Sequence, residues 1–122
     1  MRQPFVNSLE RAGRGLLLGF AQEPNIRREC AVALLVLALV LALPLDAWQQ
    51  VAILVVAVFV LVVELINTAI ERILNIVKPQ FHEQVRDIKD LSAGAVLLAS
   101  GLACAVGLRI FGPYVLFLIS HV

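Results

Sequence analysis

Charge is scarce in this 122-residue chain: Asp, Glu, Lys and Arg make up 16% of it, against 61% hydrophobic residues and a mean hydropathy of +0.92. A soluble domain sits nearer about 25% charged and about 45–50% apolar, so the balance excludes an ordinary soluble fold and points to one small integral-membrane domain. Cysteine is nearly absent. Cys30 and Cys104 lie inside or at the edge of apolar runs without metal-type spacing, as packing residues do. No GxxxxGK[ST] or GxGxxG element occurs, which excludes a P-loop or Rossmann nucleotide site. Internal repeats and low-complexity tracts are missing too, and the chain is short for a transporter built of two repeats. The N-terminal stretch does not read as a signal peptide, because Glu23 and Glu29 stand before the first continuous apolar run.

The few charges are sorted. Arg2, Arg11, Arg14, Arg27 and Arg28 precede the first apolar run, and Arg72, Lys78, Arg86 and Lys89 lie between the second and third. The 44–50 connection has no cation, and only Arg109 follows. By the positive-inside rule this sorting places the N-terminus and the 72–90 loop in the cytoplasm, with the 44–50 turn and the C-terminus outside. The cations follow membrane topology rather than one basic face, so nucleic acid is not an expected partner.

The predicted fold is all-α: an amphipathic N-terminal surface helix followed by three transmembrane helices, forming a single domain over residues 1–122. In the surface helix, about 4–20, Phe5, Leu9, Ala12, Leu16 and Phe20 recur at helical spacing opposite Asn7, Glu10, Arg11 and Arg14. The spans are predicted at about 25–43, 48–77 and 91–111. Trp48 serves as interfacial anchor of the second, and Gly112-Pro113 breaks or kinks the third. Ala95, Ala99, Ala103 and Gly107 form a small-residue stripe that lets helices approach closely, and an oligomer is expected because three helices enclose little.

The informative anomaly is the second span. The apolar run Val51–Val63 continues into Glu64-Leu65-Ile66-Asn67-Thr68-Ala69-Ile70-Glu71, and Glu64, Asn67, Thr68 and Glu71 share one helical face. A charge near the bilayer centre costs roughly 2.5–3.5 kcal/mol on insertion scales, so such residues usually serve a purpose. Counted from the outer end, Glu64 lies roughly 22 Å and Glu71 roughly 33 Å along the helix. The two are about 10 Å apart, too far to ligate one ion readily, so they divide into two tasks. Glu64, deeper and less solvated, suits a general base; Glu71, at the water boundary near Asn67, suits a hard cation that bears phosphates. The competing reading is a polar clasp between helices. Glu23 occupies the same cytoplasmic level as Glu71, either as a second carboxylate for that cation or as a helix-start acid. The segment from Lys78 to Asp90 mixes both charge signs and reads as a solvated loop, in which Lys89-Asp90 could hold phosphate, ribose or a metal-bound water.

Taken together, Val63-Glu64-Leu65-Ile66-Asn67-Thr68-Ala69-Ile70-Glu71, His82 and Lys89-Asp90-Leu91-Ser92-Ala93-Gly94-Ala95-Val96 resemble the small prokaryotic integral-membrane diacylglycerol kinases and undecaprenol kinases. The likeness covers nearly the whole chain. It implies a homotrimer in the bacterial cytoplasmic (inner) membrane, with active sites between protomers, that transfers the γ-phosphate of ATP with Mg2+ to a lipid alcohol. Diacylglycerol, giving phosphatidic acid, is the first acceptor implied, and undecaprenol the alternative. By this resemblance Glu64 matches the catalytic base and Glu23 and Glu71 the metal-binding, nucleotide-facing carboxylates. Asn67 matches a supporting active-site asparagine, Gln80, Phe81, His82, Lys89 and Asp90 nucleotide-contacting positions, and Glu29 a place near the acceptor. Two positions depart from the pattern: Asn75 stands where many members have Asp, and Arg11 where some have an aromatic. The readings from other classes are a non-enzymatic ion-pathway subunit and a helical assembly module.

Overall fold

A computed structural model describes residues 4–77 and 83–122, and among these every regular element is helical. There are four helices: α1 (Pro4–Gln22), α2 (Pro24–Ala42), α3 (Ala47–Val77) and α4 (Glu83–Ser120). Each packs on its neighbour in sequence, α1 on α2, α2 on α3 and α3 on α4.

The first two helices are separated by Glu23 alone, whose backbone is extended. Pro24 follows at the helix start, where its missing N–H is no loss and its fixed φ suits the first turn. Arg27 closes the corner from the other side, donating from Nη1 to the carbonyl oxygens of Phe20 and Ala21 at 3.1 and 3.0 Å. Those carbonyls belong to the last turn of α1, which has no following turn to satisfy them. Gly19 lies where α1 meets α3: a Cβ there would sit 3.1 Å from Leu65 Cδ2.

At the far end, Pro44 stops α2 and Gln49 starts α3 by accepting the Asp46 N–H at 3.0 Å, one half of a capping box. Beneath this turn lies the best-packed part of the molecule, where Val40, Leu45, Ile53 and Ile110 are buried together and Val36, Val106 and Phe111 close around them. The Tyr114 hydroxyl donates to the Pro44 carbonyl at 3.2 Å and ties α4 to the turn.

Two expectations are corrected. Gly112-Pro113 does not end the last helix, which runs on to Ser120 with Pro113 inside it. Proline removes one backbone bond, whereas ending the helix would free a full turn of carbonyls, so continuing is the lesser cost. The mixed-charge segment before the last span is not loop throughout, since α4 already begins at Glu83 rather than near Leu91. Glu83 in the first turn complements the helix dipole, and Arg86 and Asp90 stand one turn apart on one face.

Among the described residues, α3 and α4 are long and apolar enough to cross a membrane. In α2 the first turns hold Arg27, Arg28 and Glu29, so its uncharged stretch starts only at Cys30. The outward faces of α2, α3 and α4 are apolar, with Leu34, Leu41, Val55, Leu98 and Leu108 exposed.

Candidate active site

The polar residues gather at the end of the bundle opposite the apolar core, where the α1–α2 corner meets α3 and α3 meets α4. Glu64 is the centre of this arrangement. It is 7% exposed, and with Ser92 it forms the pair of buried polar side chains among the described residues. The Asn25 carboxamide lies beside it, and the carboxylates of Glu29, Glu71 and Glu23 are close enough for their charges to act on it. The four predicted carboxylates thus lie toward one end of the bundle, on the α1–α2 corner, the first turns of α2 and the inner half of α3.

Glu23 and Glu71 were expected to share a cation. Glu23 Oε1 accepts two bonds from the Arg72 guanidinium, at 2.6 Å from Nη2 and 3.2 Å from Nε, and the same Nη2 donates to Gln22 Oε1 at 3.0 Å. Arg72 directly follows Glu71 on α3, so this contact fixes the corner that presents Glu23 against the turn that presents Glu71. Both Arg72 bonds use one oxygen of Glu23. Among the described residues no three His, Cys, Asp or Glu side chains are grouped as a metal cage. Carboxylate oxygens are hard donors of the kind a divalent cation takes, and in this structure one oxygen of Glu23 is engaged by Arg72.

On the α4 side, Ser92 Oγ donates to Asn67 Oδ1 in a short hydrogen bond. Lys89 Nζ donates to Asn75 Oδ1 at 3.5 Å, the outer limit for such a bond, so this cation is paired with a neutral amide rather than a carboxylate. Asp90 borders a shallow surface depression with Asp87, Leu91, Gly94 and Leu98. Gln80, Phe81 and His82, the remaining predicted nucleotide contacts, lie outside the described residues.

Glu29 stands at the rim of an apolar groove of about 330 Å³ between α2, α3 and α4, lined by Val32, Val36, Ile53, Val60 and Gly107 among others. Sequence reasoning missed Arg72, Ser92 and Asn25. Arg72 had been counted only toward topology, although a cation next to a paired carboxylate invites a partner. Ser92 was hidden among the small residues that open the last apolar run.

Comparison with known proteins finds relatives over most of the chain. A family profile described as prokaryotic diacylglycerol kinase matches residues 10–111. The chain is 32% identical over 111 residues to the undecaprenol kinase of Bacillus subtilis (strain 168), covering 89% of each. It is 30% identical over 98 residues to the diacylglycerol kinase of Escherichia coli (strain K12), covering 78% of this chain and 80% of that one. It is also 33% identical over 101 residues to the diacylglycerol kinase of Synechocystis sp., covering 82% of this chain and 58% of the longer relative.

Proposed function

Because the chain belongs to the prokaryotic diacylglycerol kinase family, we propose that it transfers the γ-phosphate of ATP to the hydroxyl of a membrane lipid alcohol. The observation that supports this most is the buried Glu64 carboxylate, beside the Asn25 amide in the inner half of a long apolar helix. A proton acceptor is needed there: a lipid hydroxyl becomes a competent nucleophile only as its proton leaves.

In the proposed mechanism the lipid lies in the bilayer with its head beside Glu29 and its hydroxyl against Glu64. Glu64 takes the hydroxyl proton as the oxygen bonds to the γ-phosphorus and the β,γ-bridging oxygen leaves with ADP. Glu23 and Glu71 would hold the divalent cation, for which Mg2+ is proposed; when bound it supplies charge neutralisation on the phosphate oxygens. Lys89 adds positive charge beside the phosphates, and Asn67 donates to oxygen atoms in the same site. Gln80, Phe81, His82 and Asp90 are assigned to the nucleotide. The protein's part is chiefly to orient two reactants, one arriving from water and one from hydrocarbon.

The proposed setting is the bacterial cytoplasmic membrane, with α2 as a third span, α1 on its inner surface, the N-terminus inside, the C-terminus outside and three copies per assembly. Diacylglycerol is the first acceptor proposed, with phosphatidic acid as product. Undecaprenol is the second reading, favoured by the 32% identity that extends over 89% of both chains. The deciding experiment gives the purified protein γ-labelled ATP with diacylglycerol or undecaprenol in mixed micelles, with and without Mg2+. Label is expected in a lipid product only when the divalent ion is present. Label in neither lipid, with ATP intact, would overturn the kinase reading and leave an ion-pathway or assembly role.

A further inference from the structure

Ser92 is a buried hydroxyl in a helix whose neighbouring positions are Leu91, Ala93, Gly94 and Ala95. Hydrocarbon packing does not call for a hydroxyl here, and burying one unpaired is costly. Its Oγ–H is spent on a single partner, Asn67 Oδ1, across the α3–α4 contact. Asn67 lies one turn from Glu64 on one side and one turn from Glu71 on the other, on the face that both carboxylates share.

A carboxamide has two unlike ends diverging from one carbon. An oxygen held by α4 turns the NH2 away from Ser92 and leaves it as a donor only. Without that bond the amide could rotate and offer its oxygen to the site, where anionic carboxylate and phosphate oxygens would repel it. We propose that Ser92 is a positioning residue for phosphoryl transfer: it sets the Asn67 amide so that an N–H pair, not a carbonyl oxygen, faces the reacting phosphate. The inference rests on the kinase reading above. It also ties α4, with Lys89 one turn before Ser92, to the α3 face that bears the proposed base.

A positioning role separates from a packing role by what each variant changes. Ser92→Ala removes the hydroxyl with little change of volume, Ser92→Thr keeps it, and Asn67→Ala removes its partner. We expect Ser92→Ala to lower kcat about three- to tenfold, the range of one neutral hydrogen bond, with KM for ATP within about twofold. Ser92→Thr restores kcat. In an Asn67→Ala background the Ser92→Ala change adds nothing, because the bond it removes is already gone. The Asn67 side-chain 15N–1H2 resonances, read without turnover or added ligand, shift in Ser92→Ala and return in Ser92→Thr. Unmoved amide resonances would overturn the proposal, as would a kcat loss that persists undiminished in the Asn67→Ala background. An inactive wild-type protein with the amide shift intact would instead count against the kinase reading alone.

Discussion

Glu64 is buried on a membrane-spanning helix, where a carboxylate is expensive. An interhelical clasp would be better built from an opposite charge. Replacing Glu64 with Gln keeps the side chain's shape and hydrogen bonding while removing both the charge and the proton acceptor. Loss of a general base typically costs 10²–10⁴-fold, so Glu64→Gln is expected to reduce phosphoryl transfer by about 10³-fold. Equilibrium dialysis should find ATP affinity within about threefold of wild type, since the nucleotide residues are untouched. The unfolding midpoint should stay level or rise, because a neutral amide is buried at less cost than a carboxylate. A tenfold or smaller loss of turnover would remove Glu64 from the chemistry, and a collapse in stability would favour the clasp.

At the scale of elements, the α1–α2 corner decides where Glu23 stands, and two arginines from different helices hold it. Arg27 caps the end of α1, and Arg72 reaches from α3 to both Gln22 and Glu23. The Arg72–Glu23 pair is partly exposed, with side-chain exposures of 42% and 28%, so solvent screening limits it to about 1 kcal/mol or less. Arg72→Ala should therefore leave global stability within about 1 kcal/mol while hydrogen exchange at residues 19–24 accelerates. Unchanged exchange there would show that Arg27 alone holds the corner. This corner also marks where sequence reading stops. The Phe5–Phe20 periodicity, the Trp48–Val77 run and the shared face of Glu64, Asn67 and Glu71 were legible because each depends on spacing within one helix. The partners of Glu23, Asn67 and Lys89 were not, because Arg72, Ser92 and Asn75 reach them across helix contacts of forty-nine, twenty-five and fourteen residues. At Gly112-Pro113, where a break or a kink was expected, the helix is not broken, because one lost backbone bond weighs less than those of a whole helix end.

At the scale of the whole molecule, the two ends of the bundle have separate duties. The end beneath the 43–46 turn is closed by Val40, Leu45, Ile53 and Ile110 and bears the packing; the other end collects charge and is open. At that open end Lys89 is paired with a neutral amide, and the apolar faces of α3 and α4 are bare, as surfaces that meet hydrocarbon are. The three-copy assembly proposed above can be probed by mixing variants. Ser92 on α4 bonds Asn67 on α3 within one chain, so Lys89, one turn before Ser92, belongs with the Glu64 face of its own copy. Glu64→Gln and Lys89→Ala protomers, unfolded together and reassembled at equal ratio, should therefore not repair each other, and turnover is expected to stay at that of the unmixed parents. Turnover of about a quarter of wild type, the share of seams to which random mixing would give an intact pair, would instead place the two residues of one site in different copies.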